Sequence, residues 1–237
     1  MWTGQTPAGI PMVPDELTEV AFYGREDVAA LLDEGKVPLG LDLETVEPVT
    51  WDLKKGNLLY LTDKEEQMTQ FVKQIARSKQ KVIVLAPAYN ELPEMEGVTI
   101  LSTKEAYVAG IKKMEENIQL RLEQQKSQHE ATIVLYNQLE LMNDLSMDLQ
   151  SSLNYVLEKG ARAGYATVAM SGSQLNRKID EVSKSIKLYK QAIVAMRITD
   201  QRVLNVINRP VREEPLDSQV NYYVEDGFVR KVKVLMK

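Results

Sequence analysis

The turn formed by Thr62–Glu66 is the first place in the sequence where residue type and spacing could support chemistry. It follows the apolar run Leu58–Leu61 and precedes a helical pattern. Ligands of an open parallel sheet bind where a strand ends and the next helix begins. A phosphate-binding loop there needs glycines that let backbone amides approach the phosphate, with a lysine and a serine or threonine. The turn contains Lys64 but no glycine, so it does not fit that pattern.

The side chains of this turn favour a structural role. Asp63, Glu65 and Glu66 place negative charge where a phosphate would lie, which stabilises the start of a helix but repels the ligand. Thr62 and Glu65 have the spacing of a capping box, whose side chains bind the free amides of the helix itself. We therefore predict a capped helix and interpret Lys64 as a solvated residue. A nucleotide-binding Lys64 is the alternative.

A second position for phosphate chemistry is the end of the predicted strand Thr132–Tyr136. An ATPase carries acidic side chains at such a strand end, because they hold magnesium and polarise water. This strand ends in Tyr136-Asn137, and neither side chain is an anion that could act as a general base. Glu140 follows a few residues later, and we interpret it as a solvated glutamate of the next helix.

Other catalytic arrangements lack their residues. The sequence has no cysteine and one histidine, His129, which excludes thiolate chemistry, disulfides and multi-histidine zinc sites. His129 lies in a polar run and is predicted to be a surface residue, which disfavours a Ser–His–acid triad. The sequence also contains no G-x-S-x-G motif of the kind that hydrolases use.

Composition indicates an ordinary globular protein that does not bind duplex DNA. The 237 residues fit one large α/β domain, and no apolar run approaches the roughly 18 residues of a membrane span. Duplex binding needs clustered lysine and arginine, whereas the net charge is −5. Basic clusters occur at Lys184–Lys190 and Arg230–Lys237, and we interpret both as solvated faces.

From Asn57 onward, short apolar runs alternate with amphipathic segments. The predicted strands are Leu58–Leu61, Val82–Leu85, Val98–Leu101, Thr132–Tyr136, Tyr165–Met170 and Ala192–Met196. The helical stripes between them are Met68/Phe71/Val72/Ile75, Leu149/Leu153/Val156/Leu157 and Ile179/Val182/Ile186/Tyr189. This alternation predicts a parallel sheet with flanking helices and right-handed crossovers.

Further elements are predicted at both ends and in the middle of the chain. A long helix, Thr103–Gln128, opens with a capping box from Ser102 to Glu105. The predicted elements before Asn57 are a helix from Asp27 to Glu34, a half-buried strand through Leu39, Leu41 and Leu43, and a strand through Val49, Trp51 and Leu53. Asp226-Gly227 predicts an antiparallel hairpin between Val220–Val224 and Phe228–Val234.

The domain organisation predicted from these patterns is simple. Residues 1–14 contain three prolines and are interpreted as an interdomain strap, in which Trp2 is an apolar anchor or a remnant of contact with a preceding domain. Residues 15–237 form a single domain.

Several of these segments together resemble the FtsK/SpoIIIE family of ring ATPases, and in particular the third ATPase domain of the EssC/EccC type VII secretion motors. The segments, in order, are Ile10–Pro14, Pro38–Asp42, Glu47–Val49, Asn57–Ile75 and Lys159–Tyr165. The resemblance covers nearly the whole chain. It implies a RecA-like P-loop NTPase fold.

The resemblance also implies where a nucleotide site would lie. The family's phosphate loop maps onto Thr62–Glu66 without its glycines or its lysine–serine/threonine pair, and its strand-end acids map onto Tyr136 and Asn137. Its sensor position falls near Ser171. We therefore expect a non-catalytic domain that needs no cofactor. Binding or slow hydrolysis of ATP with magnesium is the alternative, and a DNA translocase is the less favoured third hypothesis.

Partners and location are likewise implied by the resemblance. Such motors carry several ATPase domains in tandem, can form hexameric rings and are anchored by upstream helices at the cytoplasmic face of the bacterial membrane. They export small helical-hairpin proteins, and the last domain is associated with a carboxyl-terminal export signal. Nucleic acid is not an expected partner.

A helical substrate would dock in an apolar groove. Met142 and Met147 are candidates to line that groove, with core packing as the alternative.

Overall fold

The computed structural model describes residues 12–209 and 212–235. Of the predicted strap, residues 1–11, including Trp2, lie outside the described residues, and residues 12–14 belong to no helix or strand. None of the helices in the described ranges is both long and apolar enough to cross a membrane.

The described chain folds into strands and helices in the predicted alternation. The strands are β1 Val37–Asp42, β2 Pro48–Trp51, β3 Leu58–Leu61, β4 Val82–Leu85, β5 Val98–Leu101, β6 Ala131–Leu135, β7 Tyr165–Ser171, β8 Gln191–Val194, β9 Val220–Glu225 and β10 Phe228–Lys233. The helices are α1 Glu19–Tyr23, α2 Glu26–Asp33, α3 Glu65–Ala76, α4 Lys104–Glu123, α5 Gln138–Asp144, α6 Met147–Lys159 and α7 Glu181–Lys187. Short 3-10 turns occupy Leu53–Lys55, Gly160–Ala163 and Ser173–Arg177.

All ten of these strands belong to one sheet, in the order β2-β1-β10-β9-β8-β3-β7-β6-β4-β5. The six strands from β8 to β5 pair in parallel, whereas β9, β10, β1 and β2 extend the sheet with antiparallel pairs. The predicted fold class is therefore confirmed. The parallel strands are short and apolar because helices or loops cover both faces of the sheet.

Two hydrophobic cores lie on the two faces of the sheet. On one face, α4, α5, α6 and α7 pack against β3, β6 and β7, with Ile111, Leu153 and Ile186 fully buried. On the other face, α3 packs through Phe71 and Ile75, beside Trp51 of β2. These cores place the amino terminus of α3 at the edge where the parallel strands end.

The hairpin prediction is confirmed. Asp226 and Gly227 have φ angles of 49° and 86°, the left-handed pair that a tight two-residue hairpin turn requires. β9 and β10 pair from Phe228–Glu225 to Lys233–Val220 without a break.

Both predicted ends of α4 are wrong, and so is the placement of Ile179 within the stripe of α7. α4 begins after Thr103, whose hydroxyl accepts from the amide of Ala106 (3.2 Å), so Ser102 does not cap it. Its helical hydrogen bonding also stops earlier than predicted, at Glu123. Ile179 precedes α7, because Asp180 caps that helix, and its side chain is 81% exposed.

The first strand is buried on both faces and not half-buried. The register of β1 against β2 shifts between Pro38 and Gly40, and such irregularities interrupt simple alternation. Leu39 consequently packs in the core beside Trp51, whereas Leu41 packs with Leu17 and other residues around α1 and α2.

Candidate functional site at the carboxyl edge of the sheet

The positions singled out in the sequence converge at the carboxyl edge of the parallel strands. β3, β7 and β6 are neighbours in the sheet, so the ends of these strands bring the Thr62–Glu66 turn, Ser171 and Tyr136 together. The amide of Thr62 donates to the carbonyl of Ser171 (2.9 Å), which continues the ladder one residue beyond β3. Topology thus brings together all three of these predicted site positions.

Thr62 stabilises the turn but does not cap α3. Its buried hydroxyl accepts from the amide of Lys64 (3.1 Å) and donates to Oε1 of Gln67. α3 begins at Glu65, and the capping position is Lys64, which makes no side-chain capping bond. The predicted capping box between Thr62 and Glu65 is therefore wrong, because the helix starts two residues later than that spacing requires.

Asp63 and Glu65, two acidic residues of the turn, accept hydrogen bonds from other loops of the chain. Oδ1 of Asp63 accepts from the amide of Ser173 (2.8 Å), which ties the turn to the segment after β7. Oε1 of Glu65 accepts from the side-chain amide of Asn90, in the loop after β4. Lys64 is exposed to solvent. These contacts use the anionic side chains to hold loops together at the edge where a phosphate would have to bind.

Tyr136 fills the strand-end position with a buried, neutral side chain. Its hydroxyl lies 2.8 Å from Oγ1 of Thr69 and donates to the carbonyl of Glu65 (3.2 Å), so it anchors the first turn of α3. Burial raises the pKa of Tyr136 above its ordinary value, and the hydroxyl is therefore protonated at neutral pH. A protonated phenol at this place supplies neither a strong magnesium ligand nor a general base.

Asn137 adopts the left-handed conformation, with φ 44° and ψ 59°, at the start of α5. Asparagine tolerates that conformation better than most residues do. Its side-chain amide donates to the hydroxyl of Tyr89 (3.1 Å), another residue of the loop after β4. Glu140 is an exposed residue of α5 that accepts from Asn143 (3.1 Å), which confirms its predicted helical position.

Ser171 belongs to a buried hydrogen-bond chain. Its hydroxyl donates to Oε1 of Gln138 (3.1 Å), and the amide of Gln138 donates to Oγ of Ser183 (3.2 Å). All three residues are fully buried. This chain of hydrogen bonds links the end of β7 to α5 and α7.

Several contact residues of this edge were missed in the sequence, among them Tyr89, Asn90 and Gln138. Tyr89 and Asn90 reach it from the loop after β4, and Gln138 reaches it from α5. Their types and spacing resemble no motif, because their roles depend on loops brought together by the sheet. No sequence signal marked them.

The remaining candidates lie away from this edge. His129 is an exposed loop residue, as predicted. Met142 is partly buried against the core, whereas Met147 begins α6 and is 84% exposed. Neither methionine lines any of the pockets found among the described residues. Across residues 12–209 and 212–235, no group of three histidine or acidic side chains could hold a metal ion.

A pocket of about 290 Å³ opens beside the turn. Its walls come from α3 and from strands β1, β3, β8 and β9, and they combine the side chains of Tyr60, Lys64, Gln67 and Asn221 with Leu235. No sequence pattern indicated this pocket, because its lining comes from segments far apart in the chain. Its mixture of amide and apolar side chains could accommodate a small ligand.

No family model matches the chain. The type VII secretion system protein EssC of Staphylococcus aureus (strain MRSA252) is 25% identical over 244 residues, which cover 99% of this chain and 16% of EssC. The ESX secretion system protein YukB of Bacillus subtilis (strain 168) is 26% identical over 255 residues, covering 97% of this chain and 17% of YukB. The chain therefore spans only a small part of the relatives it matches.

Solved structures with this fold include EssC and EccC ATPase domains. EssC ATPases 2 and 3 from Geobacillus thermodenitrificans superpose with a TM-score of 0.84 at 19% identity, over 95% of this chain and 45% of that one. Thermomonospora curvata EccC (ATPases 2 and 3), in complex with a signal sequence peptide, gives a TM-score of 0.70 at 15% identity, over 100% of this chain and 46% of that one. These matches confirm the predicted likeness.

Proposed function

We propose that this EssC/EccC-like domain, which has the fold of P-loop NTPases, is a non-catalytic module of a type VII secretion motor. In this proposal it binds export substrates and regulates neighbouring ATPase domains, with no ATP hydrolysis of its own. It acts at the cytoplasmic face of the bacterial membrane as part of a longer chain, which can assemble into a hexameric ring.

The observation that carries the proposal is the pair of contacts made by Tyr136. Hydrolysis of ATP requires an anionic side chain at this strand end, to hold magnesium or to activate water. Tyr136 instead uses its hydroxyl to bind Thr69 and the carbonyl of Glu65. Restoring an acid there would bury a charge against a backbone carbonyl, which is energetically costly.

The glycine-free turn supports the same conclusion independently. Backbone amides must converge on a phosphate at close range, which side chains on every residue hinder. Asp63 and Glu65 already bind groups of this chain, so a triphosphate would displace two carboxylates and meet their charge.

Substrate binding rests on the relatives. The Thermomonospora curvata EccC structure contains a signal sequence peptide, and this chain superposes on 46% of that chain. We therefore infer that a carboxyl-terminal segment of a small helical export protein binds this domain, in an apolar groove and not at the Thr62–Glu66 turn. The preceding ATPase domain of the same motor is the second partner.

A peptide titration tests this inference. A synthetic carboxyl-terminal peptide of a type VII substrate is added to the isotopically labelled domain, and backbone amide shifts are mapped. The expected result is saturable shifts outside the carboxyl edge. Shifts confined to Thr62–Glu66 and Asn137 would contradict the groove, and absence of binding would contradict the substrate-receptor function.

The pocket beside Lys64 favours one second candidate, which is ATP binding without turnover. Lys64 and Gln67 line it close to the turn, and Tyr60 and Asn221 could contact a base. A fluorescent ATP analogue separates the two candidates. If the domain does not bind nucleotide, no saturable binding is expected with magnesium at millimolar concentrations of the nucleotide. Saturable binding that weakens in Lys64→Ala would support the alternative.

A DNA translocase is the least supported candidate. The formal net charge of −5 opposes an electrostatic track along phosphates. Retardation of duplex DNA by the protein in a gel mobility-shift assay at physiological salt would support this candidate.

A further inference from the structure

β5 forms one edge of the sheet, and its outer side is unpaired within the described residues. The amides of Val82 and Ala86 donate to the carbonyls of Gly97, just before β5, and Leu101, its last residue (3.0 Å each), so both carbonyls face β4. Because backbone groups alternate along a parallel strand, the N–H and C=O of Ile100 face away from β4. They are free to pair with an added strand.

This edge lacks the devices that usually block strand addition. Proteins protect exposed edges with proline or charged side chains. The opposite edge strand, β2, begins with Pro48, whereas β5 reads Val-Thr-Ile-Leu and carries neither. β5 is also the one strand of the parallel set in which no residue is buried, so solvent reaches it.

The surroundings of β5 are strongly acidic on one face of the sheet. The loop before β5 packs there through Leu92 and Met95, in the same core as Val98 and Ile100. Glu91, Glu94 and Glu96 of this loop are all exposed, and residues 86–97 contain no lysine or arginine. None of the three makes an ion pair among residues 12–209 and 212–235.

The other face beside β5 is uncharged at the point of closest packing. Leu101 of β5 packs against the hydrophobic core there and is partly exposed. A Cβ added at Gly110 of α4 would lie 2.3 Å from Cδ1 of Leu101, so helix and strand approach closely without a bulky side chain between them. A strand added to β5 would therefore meet carboxylates on one face and apolar or small residues on the other.

We propose that the outer edge of β5 binds an extended segment of a partner protein, in which lysine or arginine alternates with apolar residues. Side chains of a strand alternate between faces, so this pattern places every basic residue beside the glutamates and every apolar residue beside Leu101. Backbone pairing with the N–H and C=O of Ile100 supplies affinity, whereas the amide of Val98 already donates to the carbonyl of Met95 (3.2 Å). The charges select the partner. A second copy of this chain is disfavoured, because residues 86–101 contain no lysine or arginine that could pair with the glutamates.

The test uses a fluorescent nine-residue peptide of alternating lysine and valine, with binding to the 237-residue protein followed by anisotropy. The key variant is Ile100→Pro, which removes the outward N–H and leaves the β4 ladder intact. Ile100→Ala is its matched control, because it loses the side chain but keeps the N–H. We expect Ile100→Pro to bind about tenfold more weakly than Ile100→Ala, the effect of one hydrogen bond.

Two further experiments test the role of the glutamate charges and of the backbone hydrogen bonds without altering β5. Replacing Glu91, Glu94 and Glu96 with glutamine should weaken binding at least tenfold, and a glutamate–valine peptide should not bind. Two further peptides are N-methylated at alternate amides, one at the odd and one at the even positions. One of the two should fail to bind the unmodified protein, because its methyl groups replace the N–H groups that pair with β5. Equal binding by Ile100→Pro and Ile100→Ala, indifference to the glutamates, or no binding at all would overturn the proposal. A dimer in sedimentation that Ile100→Pro abolishes would also overturn it, in favour of self-pairing.

Discussion

At the scale of single residues, the carboxyl edge is held together by polar side chains that bind other groups of the domain. Tyr136 anchors α3 through its hydroxyl, Asp63 binds the amide of Ser173, and Thr62 closes its own turn. Each of these polar groups is committed to a partner within the domain. The proposed loss of catalysis therefore has a counterpart in stability, which single substitutions can measure.

The Tyr136 hydroxyl is expected to stabilise the folded domain. Tyr136→Phe removes its contacts with Thr69 and the carbonyl of Glu65, and should lower the free energy of unfolding by about 1 kcal/mol. Urea denaturation measures the change. Tyr89→Phe is the control, because the Tyr89 hydroxyl binds Asn137 on a side chain that is 62% exposed, and it should cost less. Equal losses of unfolding free energy in the two variants would show that the buried Tyr136 hydroxyl stabilises the domain no more than the exposed Tyr89 hydroxyl does.

Thr62 offers a second residue-scale prediction. Thr62→Val keeps the shape of the side chain but leaves the amide of Lys64 and the side chain of Gln67 without their partner. We expect a loss of about 1–2 kcal/mol in the free energy of unfolding, with any nucleotide affinity unchanged. Thr50→Val, at a partly buried position of β2, is the matched control and should be nearly neutral. An unchanged melting temperature together with lost ATP binding would support a nucleotide site instead.

At the scale of elements, the β9–β10 hairpin extends the sheet beyond its parallel half. Its turn depends on Gly227, whose φ of 86° disfavours other residues. A Cβ there would also approach Cγ1 of Ile207 at 3.1 Å and the carbonyl of Asn205 at 3.2 Å. The hairpin in turn lies between β8 and β1, so its geometry affects both halves of the sheet.

Gly227→Ala is therefore expected to destabilise the domain by about 1 kcal/mol or more, through the left-handed backbone and the crowded contacts. Asp226→Asn is the control at the neighbouring position, because asparagine tolerates a positive φ equally well. Thermal denaturation followed by circular dichroism compares the two. A Gly227→Ala variant as stable as Asp226→Asn would show that the turn relaxes without cost.

The elements themselves could largely be predicted from the sequence, because a run such as Val82–Leu85 is apolar enough to be buried on both faces. Helix starts were less predictable. Thr62 and Ser102 both carry a side chain that can cap a helix, yet neither is the cap. α4 uses the next residue, Thr103, and α3 begins after Lys64, whose side chain makes no capping bond. Contacts such as Asn90 with Glu65 depend on loops from different strands, so no local signal announces them.

At the scale of the whole molecule, the domain has the fold of P-loop NTPases, and internal hydrogen bonds hold the edge where its parallel strands end. The fold still presents the pocket beside Lys64, the outer edge of β5 and the surfaces around the sheet. In our account, these surfaces bind partners of the domain. Chemistry would belong to neighbouring domains of the same motor.

The most direct test of this account is steady-state ATP hydrolysis by the purified 237-residue protein with excess magnesium, measured beside Lys64→Ala. We predict that both proteins release phosphate at the rate of the protein-free control, because Tyr136 provides no carboxylate and the Thr62–Glu66 turn contains no glycine. Turnover above that control that disappears in Lys64→Ala would contradict the account, since it would show that the turn still acts on a nucleotide.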